Sequence, residues 1–303
     1  MVSVSIVIPT HNRKQFLEDA IENVLQQTYE DFEVIVVDGG STDGTVEFLQ
    51  SVTDKRLDCI FHEQPHGVSR ARNAGLERAT GEYIVFLDDD DRLFEEAIGV
   101  LVETIEAQPE ACGGVYTAHR NVYESGKKED VYTTGGKIGG FEEATIGGPS
   151  CTLVRRPVVE EIGLFDESLP ACEDTDFWIR LFEAYHMIAL DRVLYERRFH
   201  ADQMTNDPEL MLRGRRRLVE KHSENRSDHS LAGMKCGVAR SLAELGRMGE
   251  ARAALRRSLR QDTVHKGVLY YYFWLQFGSL GYRIGRYGHR RIYRPDCDRL
   301  GVC

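Results

Sequence analysis

EYIVFLDDDD, residues 82–91, joins a short apolar run directly to four consecutive aspartates. The apolar run is short, β-branched and aromatic, which predicts a buried β-strand. Four adjacent carboxylates repel one another, so at the end of a buried strand they need open solvent or a cation to offset their charge. This stretch therefore bears on both the fold and the chemistry of the chain.

The ninety residues around this stretch alternate between strand-like and helix-like segments. Apolar runs at residues 4–8, 34–37, 58–61 and 83–87 predict strands. Helical patterns at residues 14–27, 45–52 and 68–79 lie between them. Strands separated by helices of this length predict βαβ crossovers, so we expect an α/β fold with a mostly parallel sheet flanked by helices.

Polar sequences follow all four predicted strands. They are PTHNR at 9–13, DGGSTDGT at 38–45, HEQPHGVSRARN at 62–73 and DDDD at 88–91. In open α/β sheets ligands bind beyond the carboxyl ends of strands, so these segments predict one site. The first strand is not followed by GxGxxG, and GxxxxGK[ST] is absent, which argues against a dinucleotide site and a P-loop.

Two acidic groups suggest chemistry at this site. In an extended chain Asp88 and Asp90 would project to the same side, where they could share Mg²⁺ or Mn²⁺ with a diphosphate; a solvated acidic loop is the alternative. Asp174 stands in CEDTDFWIRL before a predicted helix, where it could act as a general base or only favour the helix dipole. Asp38 precedes two glycines and could accept a hydrogen bond from a uracil or a ribose, or cap the next helix.

Seven segments in order resemble the inverting family-2 glycosyltransferases of GT-A fold. They are PTHN, VVDGGSTDGT, GVSRARNAG, GEYIVFLDDDD, GGPSCTLVRR, GLFDESL and CEDTDFWIRL, spread over about residues 3–205. The resemblance implies a hexosyltransferase-like enzyme that moves a sugar from a nucleotide diphosphate donor to an acceptor hydroxyl. The sequence departs from the family pattern after the second strand, where Gly39 stands in place of the usual second acid.

The resemblance also implies roles for individual residues. The nucleotide-binding set is Thr10, His11, Asn12, Asp38, Arg72 and Asp88. The metal set, for Mn²⁺ or Mg²⁺, is Asp90, Asp88 and His200. Asp174 matches the catalytic base, while Glu173 and Trp178 would shape the acceptor side. Asp89 and Asp91 are expected only to support the site.

The resemblance and the residues together indicate the partners. A UDP-sugar is the favoured donor, the acceptor is expected to be a cell-surface or polyprenyl-linked glycan, and no nucleic acid is expected. The Gln-x-x-Arg-Trp motif of processive synthases is absent, which favours single additions. A sugar nucleotidyltransferase and a non-catalytic scaffold are the alternatives; the first should carry a Gly-rich basic loop after strand one, which PTHNRK lacks.

The C-terminal third differs in charge and pattern, so we divide the chain into a GT-A domain at 1–207 and a helical region at 208–303. Residues 1–209 carry a net charge of −23 and residues 210–303 carry +12. Residues 237–262 resemble one tetratricopeptide-type helical pair, which needs a neighbour to bury its apolar face.

The final aromatic and basic segment, residues 264–294, is too short in its apolar part to cross a bilayer. It predicts either a peripheral contact with anionic lipid or a helix docked on the core or on a second subunit of a homodimer. Seven scattered cysteines without zinc spacing favour a reduced compartment. We therefore expect a cytoplasmic protein, peripheral at the inner face of the cell membrane.

Overall fold

A computed structural model describes residues 3–133, 135–138, 150, 152–224, 226–262 and 266–292. Contacts divide the chain into two compact units. The first comprises Met1–Gly140, Ile146–Glu167 and Phe177–His200, and the second comprises Phe141–Thr145, Ser168–Asp176 and Ala201–Cys303. This division differs from the boundary expected at residue 207 chiefly by placing Ser168–Asp176 with the C-terminal part.

The first unit is built on a single sheet. Its described strands are β1 (Val4–Thr10), β2 (Phe32–Asp38), β3 (Leu57–Phe61), β4 (Tyr83–Phe86), β5 (Arg92–Leu93), β6 (Cys112–Tyr123), β7 (Lys128–Val131), β8 (Gly136–Ile138), β9 (Thr152–Arg155) and β10 (His186–Phe199). Their order is β3-β2-β1-β4-β9-β6-β10-β5, with β7 paired to β6 and β8 to β10. Strands β1 to β4 pair in parallel, as do β6 and β10, while β9 runs antiparallel between β4 and β6.

Helices connect the parallel strands. The helices are α1 (Lys14–Leu25), α2 (Thr45–Ser51), α3 (Val68–Arg78), α4 (Ala97–Glu106), α5 (Arg156–Ile162) and α6 (Glu173–Ala184). Helix α1 buries Leu17, Ala20, Ile21 and Val24, the apolar face that its sequence period predicts. The expected α/β class, with a mostly parallel sheet flanked by helices, is confirmed.

Close packing at one glycine fixes helix α3 on the sheet. A Cβ atom at Gly75 would lie 2.3 Å from Cγ1 of Val7 on β1, so no larger residue fits there. Helix α3 begins directly after the loop that follows β3, and this contact sets its distance from β1. The position of Arg72, one turn earlier on α3, follows from that contact.

The geometry that we expected for the four aspartates is wrong in one respect. Strand β4 ends at Phe86, and the backbone N–H of Asp91 donates to the carbonyl oxygen of Asp88 at 3.1 Å. The aspartates therefore form a tight turn, and the alternation of an extended strand does not determine their directions.

The second unit is helical in its C-terminal part. It contains α7 (Pro208–His222), α8 (Asp228–Glu244), α9 (Met248–Gln261), α10 (Lys266–Leu275) and α11 (Gly278–Ile292). Helices α8 and α9 are the helical pair that the sequence predicts. One apolar cluster joins α7 to α11; its buried members are Leu212, Ala232, Cys236, Ala239, Leu242, Ala243, Ala251, Leu255, Val268, Tyr271, Leu275 and Tyr282.

Residues 266–292 form two helices where the sequence predicted a single segment. Val268, Tyr271, Leu275 and Tyr282 are buried in the cluster shared with α8 and α9, as the docked alternative requires. Within the described residues, no helix has both the length and the apolar character needed to span a membrane.

Candidate nucleotide-sugar site

The acidic turn at Asp88–Asp91 lies at the carboxyl end of β4, next to β1 in the middle of the sheet. Asp88, Asp90 and Asp91 each offer one carboxylate oxygen, and these three atoms lie within 4.8 Å of one another. Asp90 and Asp91 are buried, and Asp88 is half-buried. Oxygen ligands at this spacing suit Mg²⁺ or Mn²⁺, so the residues present fit a divalent metal ion.

Side chains from three other segments contact the turn. Arg72 of α3 donates to Oδ1 of Asp88 at 2.8 Å. Arg13, directly before α1, donates to Oδ1 of Asp89 at 3.0 Å and to Oδ2 of Asp90 at 3.1 Å. His200, directly after β10, places Nε2 2.8 Å from Oδ2 of Asp90. The two arginines offset part of the negative charge that the turn concentrates.

Ring stacking also holds the His200 side chain beside Asp90. The imidazole stacks on Phe16 of α1 with ring centroids 4.4 Å apart. Two of the three predicted metal-site residues, Asp90 and His200, are thus in direct contact. Asp88 and Asp90 belong to the group of three carboxylates in the turn, and His200 contacts this group at Asp90.

Asp89 and Asp91 support the turn from inside. Asp89 accepts from Oγ1 of Thr10 at 2.7 Å, and burial raises the pKa of Asp89 to about 7. Asp91 accepts from Oγ of Ser150 at 2.8 Å and from the backbone N–H of Arg198 at 3.1 Å. Burial, together with the neighbouring Asp90 and Asp88 carboxylates, raises the pKa of Asp91 well above its usual value. Burying a carboxyl group is costly, so hydrogen bonds on both residues are what hold the turn in place.

The loops after β1 and β2 are joined by backbone and side-chain hydrogen bonds. Thr10 and Asp38 are register partners at the ends of the two strands. The N–H of Gly39 donates to the carbonyl of Thr10 at 2.9 Å, and the N–H of Asn12 donates to Oγ of Ser41 at 2.7 Å. Oδ1 of Asn12 in turn accepts from the N–H of Thr42 at 2.7 Å. Asn12 therefore ties the two loops together.

Asp43 caps two helices at once. Its Oδ2 accepts from the N–H of Lys14, the first residue of α1, at 2.9 Å. Its Oδ1 accepts from the N–H of Thr45, the first residue of α2, at 3.1 Å. One carboxylate thus accepts a hydrogen bond from the first N–H of each helix.

The two oxygens of Asp38 have different surroundings. Oδ2 accepts from the N–H groups of Gly40 and Ser41, each at 3.0 Å, so this carboxylate does hold the loop that follows β2. Oδ1 is buried and has no hydrogen-bond partner among the described residues. An unsatisfied buried carboxylate oxygen is costly, and a ligand that donates a hydrogen bond would relieve that cost. His11, next in the same loop region, is exposed.

The segment around Asp174 belongs to the second unit up to Asp176. Asp174 is half-buried in the first turn of α6, and its Oδ1 accepts from the N–H of Thr175 at 2.6 Å. Glu173 is 3% exposed. Asp176 is fully buried and contacts Nζ of Lys221 and Nε2 of His222, each at 2.9 Å.

Trp178, the other predicted acceptor-side residue, falls in the first unit. It is 3% exposed and packs edge to face on Phe177 with ring centroids 5.2 Å apart. Its indole Nε1 is buried without a hydrogen-bond partner among the described residues. The ring thus lies inside the unit, and the indole N–H is the group through which it could meet a ligand.

Sequence reasoning did not find several residues of this arrangement. Arg13 stands in the quoted PTHNR segment, directly after a strand, and that position was the available signal. Ser150, Arg198 and His222 carry no local pattern, because their partners lie tens of residues away in the chain.

A family model described as glycosyl transferase family 2 matches residues 5–163, just over half of the chain. The chain belongs to glycosyl transferase family 2. The matched residues contain β1 to β4, the acidic turn, Asp38 and Arg72, but they end before Asp174 and His200.

Curated relatives that are named glycosyltransferases match different shares of this chain and of their own length. An uncharacterized glycosyltransferase of Rickettsia bellii is 30% identical over 67% of this chain and 29% of its own length. TuaG of Bacillus subtilis, named for teichuronic acid biosynthesis, is 29% identical over 61% of this chain and 75% of its own length. Glycosyltransferase GlyG of Streptococcus pneumoniae is 28% identical over 78% and 84%. The chain spans about three tenths of the length of the first curated relatives that it matches.

Two solved structures share the fold. TarS of S. aureus, crystallised with UDP-GlcNAc, has a TM-score of 0.69 at 17% identity and covers 95% of this chain and 92% of its own. The mannosyltransferase PcManGT of Pyrobaculum calidifontis, in complex with GDP-Man and Mn²⁺, has a TM-score of 0.61 at 20% identity and covers 99% and 85%. At these identities the likeness shows the fold, a GT-A architecture with C-terminal helices.

Proposed function

We propose that this chain is an inverting glycosyltransferase that moves a sugar from a nucleotide diphosphate donor to an acceptor hydroxyl. The observation that carries the proposal is the group of three carboxylates in the acidic turn, at the carboxyl ends of parallel strands. Asp38, with one buried unpaired oxygen, ends the strand beside β1, and Arg72 contacts the turn directly. A diphosphate with a divalent ion and a hydrogen-bonding base or ribose matches this set of groups.

For the donor we propose a UDP-sugar, bound by Thr10, His11, Asn12, Asp38, Arg72 and Asp88. The free Oδ1 of Asp38 can accept the N3–H of a uracil or a ribose hydroxyl. Arg72 supplies a guanidinium whose planar donors suit phosphate oxygens. TarS was crystallised with UDP-GlcNAc, which supports a uridine nucleotide, whereas PcManGT was crystallised with GDP-Man.

For the metal ion we propose Mn²⁺ or Mg²⁺, held by Asp90 and Asp88 with His200 beside them. When bound, such an ion neutralises the charge of the departing nucleoside diphosphate. The chain's own residues prepare for this, because Arg13 and His200 position the Asp90 carboxylate and Arg72 positions that of Asp88.

On the acceptor side we propose Asp174 as the general base, with Glu173 and Trp178 shaping the site. Asp174 accepts the proton of the attacking hydroxyl, which attacks the anomeric carbon opposite the leaving group. The hydrogen bond from the N–H of Thr175 orients the carboxylate at the start of the helix. General base catalysis contributes roughly 10²–10⁴-fold to turnover.

For the acceptor and location we propose a cell-surface or polyprenyl-linked glycan and a peripheral position at the inner face of the cell membrane. The name of TuaG, which refers to teichuronic acid biosynthesis, supports a cell-surface glycan. Residues 264–294 contain six Lys and Arg and no Asp or Glu, which supports contact with anionic lipid.

Incubation with labelled UDP-GlcNAc, UDP-glucose and GDP-mannose in the presence of Mn²⁺ tests this proposal. Release of nucleoside diphosphate is expected from at least one donor. Asp174→Asn should lose most of that turnover, while Glu183→Gln, an exposed acid on the same helix, should keep it. Formation of a nucleoside triphosphate and a sugar 1-phosphate when pyrophosphate is added would instead indicate a nucleotidyltransferase, and no reaction with any donor would favour a scaffold.

A further inference from the structure

Helices α10 and α11 carry an exposed apolar face. Nine large hydrophobic side chains are exposed in the described residues, and five of them fall between residues 269 and 284. They are Leu269, Phe273, Phe277, Leu280 and Ile284, with exposed fractions of 44%, 56%, 61%, 69% and 47%. Their spacing of three or four residues places them on one side of each helix. We name these five residues the hairpin face.

Packing on the opposite side prevents these side chains from turning inward. Val268, Tyr271 and Leu275 of α10 and Tyr282 of α11 already occupy the apolar cluster of the second unit. The register of each helix is therefore fixed by its buried residues. The hairpin face stays outside the unit's own core.

Two glycines hold the two helices together. A Cβ at Gly281 would lie 2.2 Å from the carbonyl oxygen of Trp274, and one at Gly285 would lie 2.6 Å from Cγ of the same residue. The hydroxyl of Tyr270 also donates to the carbonyl of Gly285 at 2.8 Å. Helix α11 therefore packs directly on α10, and Phe277 lies in the turn that joins them. The hairpin face belongs to a fixed two-helix element.

Basic side chains accompany this face. Lys266 and Arg283 are exposed on the hairpin itself. Arg256 of α9, also exposed, donates to the hydroxyl of Tyr272 at 3.2 Å. Residues 264–294 contain no acidic residue, although the whole chain has a net charge of −11. A negatively charged surface would attract residues 210–303, which carry +12, and repel residues 1–209, which carry −23, so it would favour orientations that present the region containing the hairpin.

We propose that the hairpin face inserts into the head-group boundary of an anionic lipid bilayer, with Lys266, Arg256 and Arg283 contacting the head groups. This inference deepens the membrane location proposed above by naming the surface that carries it. Helices of this kind lie in the plane of the interface, and exposed aromatic and aliphatic side chains supply the apolar contact. Such a contact requires no membrane-spanning helix.

Charge favours a lipid surface over a second copy of the chain. A symmetric dimer through this face would bring the same residues of two copies together. Lys266 and Arg283 would then face each other without an acidic partner from residues 264–294. Like-charge contacts of this kind oppose association, whereas phosphate head groups offset the same charges.

Sedimentation with lipid vesicles tests the inference. The wild-type chain is expected to bind vesicles that contain phosphatidylglycerol and to bind pure phosphatidylcholine more weakly. The double variant Phe273→Ser and Phe277→Ser should lower the partition coefficient about tenfold or more, because it removes two exposed aromatic side chains from the contact. The pair Leu280→Ser and Ile284→Ser on α11 should have a similar effect.

Tyr132→Ser is the matched control, because Tyr132 is 59% exposed but lies in the first unit. It should bind vesicles as the wild type does. Circular dichroism checks that each variant keeps its helices. Equal binding by the double variants, or no binding by the wild type, would overturn the inference; so would a wild-type dimer that the double variants split without any vesicle binding. Nucleoside diphosphate release, measured without vesicles, reports separately on the proposed function.

Discussion

The sheet unit buries acidic side chains at the carboxyl ends of its parallel strands, whereas helix α9 of the helical unit exposes three of its arginines. Asp89 and Asp91 are 4% and 3% exposed and depend on specific hydrogen bonds, but Arg256, Arg257 and Arg260 lie in solvent. Burial of a carboxylate costs free energy that only specific partners offset, so a fold keeps such groups where a ligand needs them. Exposed arginines cost little and act on a whole surface. The difference teaches that a buried charge depends on specific partners, whereas an exposed charge does not.

The largest effect is expected from breaking the acidic turn. Asp90→Ala removes a carboxylate that contacts both Arg13 and His200. We expect the affinity for UDP in the presence of Mn²⁺ to fall on the order of 10²-fold, measured by titration calorimetry. Asp54→Asn, an acid in a loop before β3, is the control and should bind as the wild type does. Unchanged affinity in Asp90→Ala would show that ligand recognition does not pass through the turn.

Creating a cavity in the apolar cluster of the helical unit tests how that unit is stabilised. Leu255 is fully buried in α9, so Leu255→Ala should lower the free energy of unfolding of this unit by about 2–5 kcal/mol. Hydrogen exchange followed by mass spectrometry should show faster exchange in α8 and α9, with β1 and β2 as the internal reference. Arg257→Ala on the same helix should stay within about 0.5 kcal/mol of the wild type. Undiminished protection of α8 and α9 in Leu255→Ala would contradict the cluster as their source of stability.

The smallest effect concerns Tyr282, whose hydroxyl donates to the Glu244 carboxylate at 3.2 Å. Burial raises the pKa of Tyr282 to about 12, and Glu244 contributes in the same direction. In the unfolded chain this hydroxyl loses its proton near pH 10, whereas in the folded chain it keeps the proton up to about pH 12. The stability that depends on the protonated form is complete below pH 10 and is lost as the pH rises through 12, with a magnitude of about 1–3 kcal/mol.

Denaturant unfolding at pH 9 and pH 11, followed by the same hydrogen-exchange signal, measures this loss. Tyr282→Phe has no hydroxyl to titrate, so it should lose less stability between the two pH values than the wild type does. Equal losses of stability in the wild type and in Tyr282→Phe would show that a group other than Tyr282 causes the alkaline sensitivity.

The fold could be predicted to a large extent because short apolar strands and amphipathic helices carry local patterns. β1 to β4 and α1 to α3 lie within a few residues of their predicted bounds. The same applies to the edge at which the site lies, since the carboxyl ends of parallel strands always meet there. The pattern alone left the four aspartates open between a metal site and a solvated loop. The family resemblance then supplied the expected role of each residue.

Contacts between distant segments could not be predicted in the same way. The turn at Asp88–Asp91 depends on Ser150 and Arg198, whose sequence neighbours give no sign of that role. The C-terminal hairpin depends on Gly281 and Gly285 meeting Trp274, so a pattern of aromatic and basic residues alone suggested a single segment. In both cases tertiary packing decides which of several locally acceptable conformations is adopted.

The double cap made by Asp43 has a consequence for engineering donor choice. Residues 10–14 and 38–45 share their hydrogen bonds, so neither loop keeps its shape when the other is replaced. Grafting a base-recognition loop from a relative with another nucleotide preference would therefore require both segments to be transplanted as one cassette. Libraries that vary a single loop should return mostly poorly folded clones, whereas paired libraries sample specificity without losing the starts of α1 and α2.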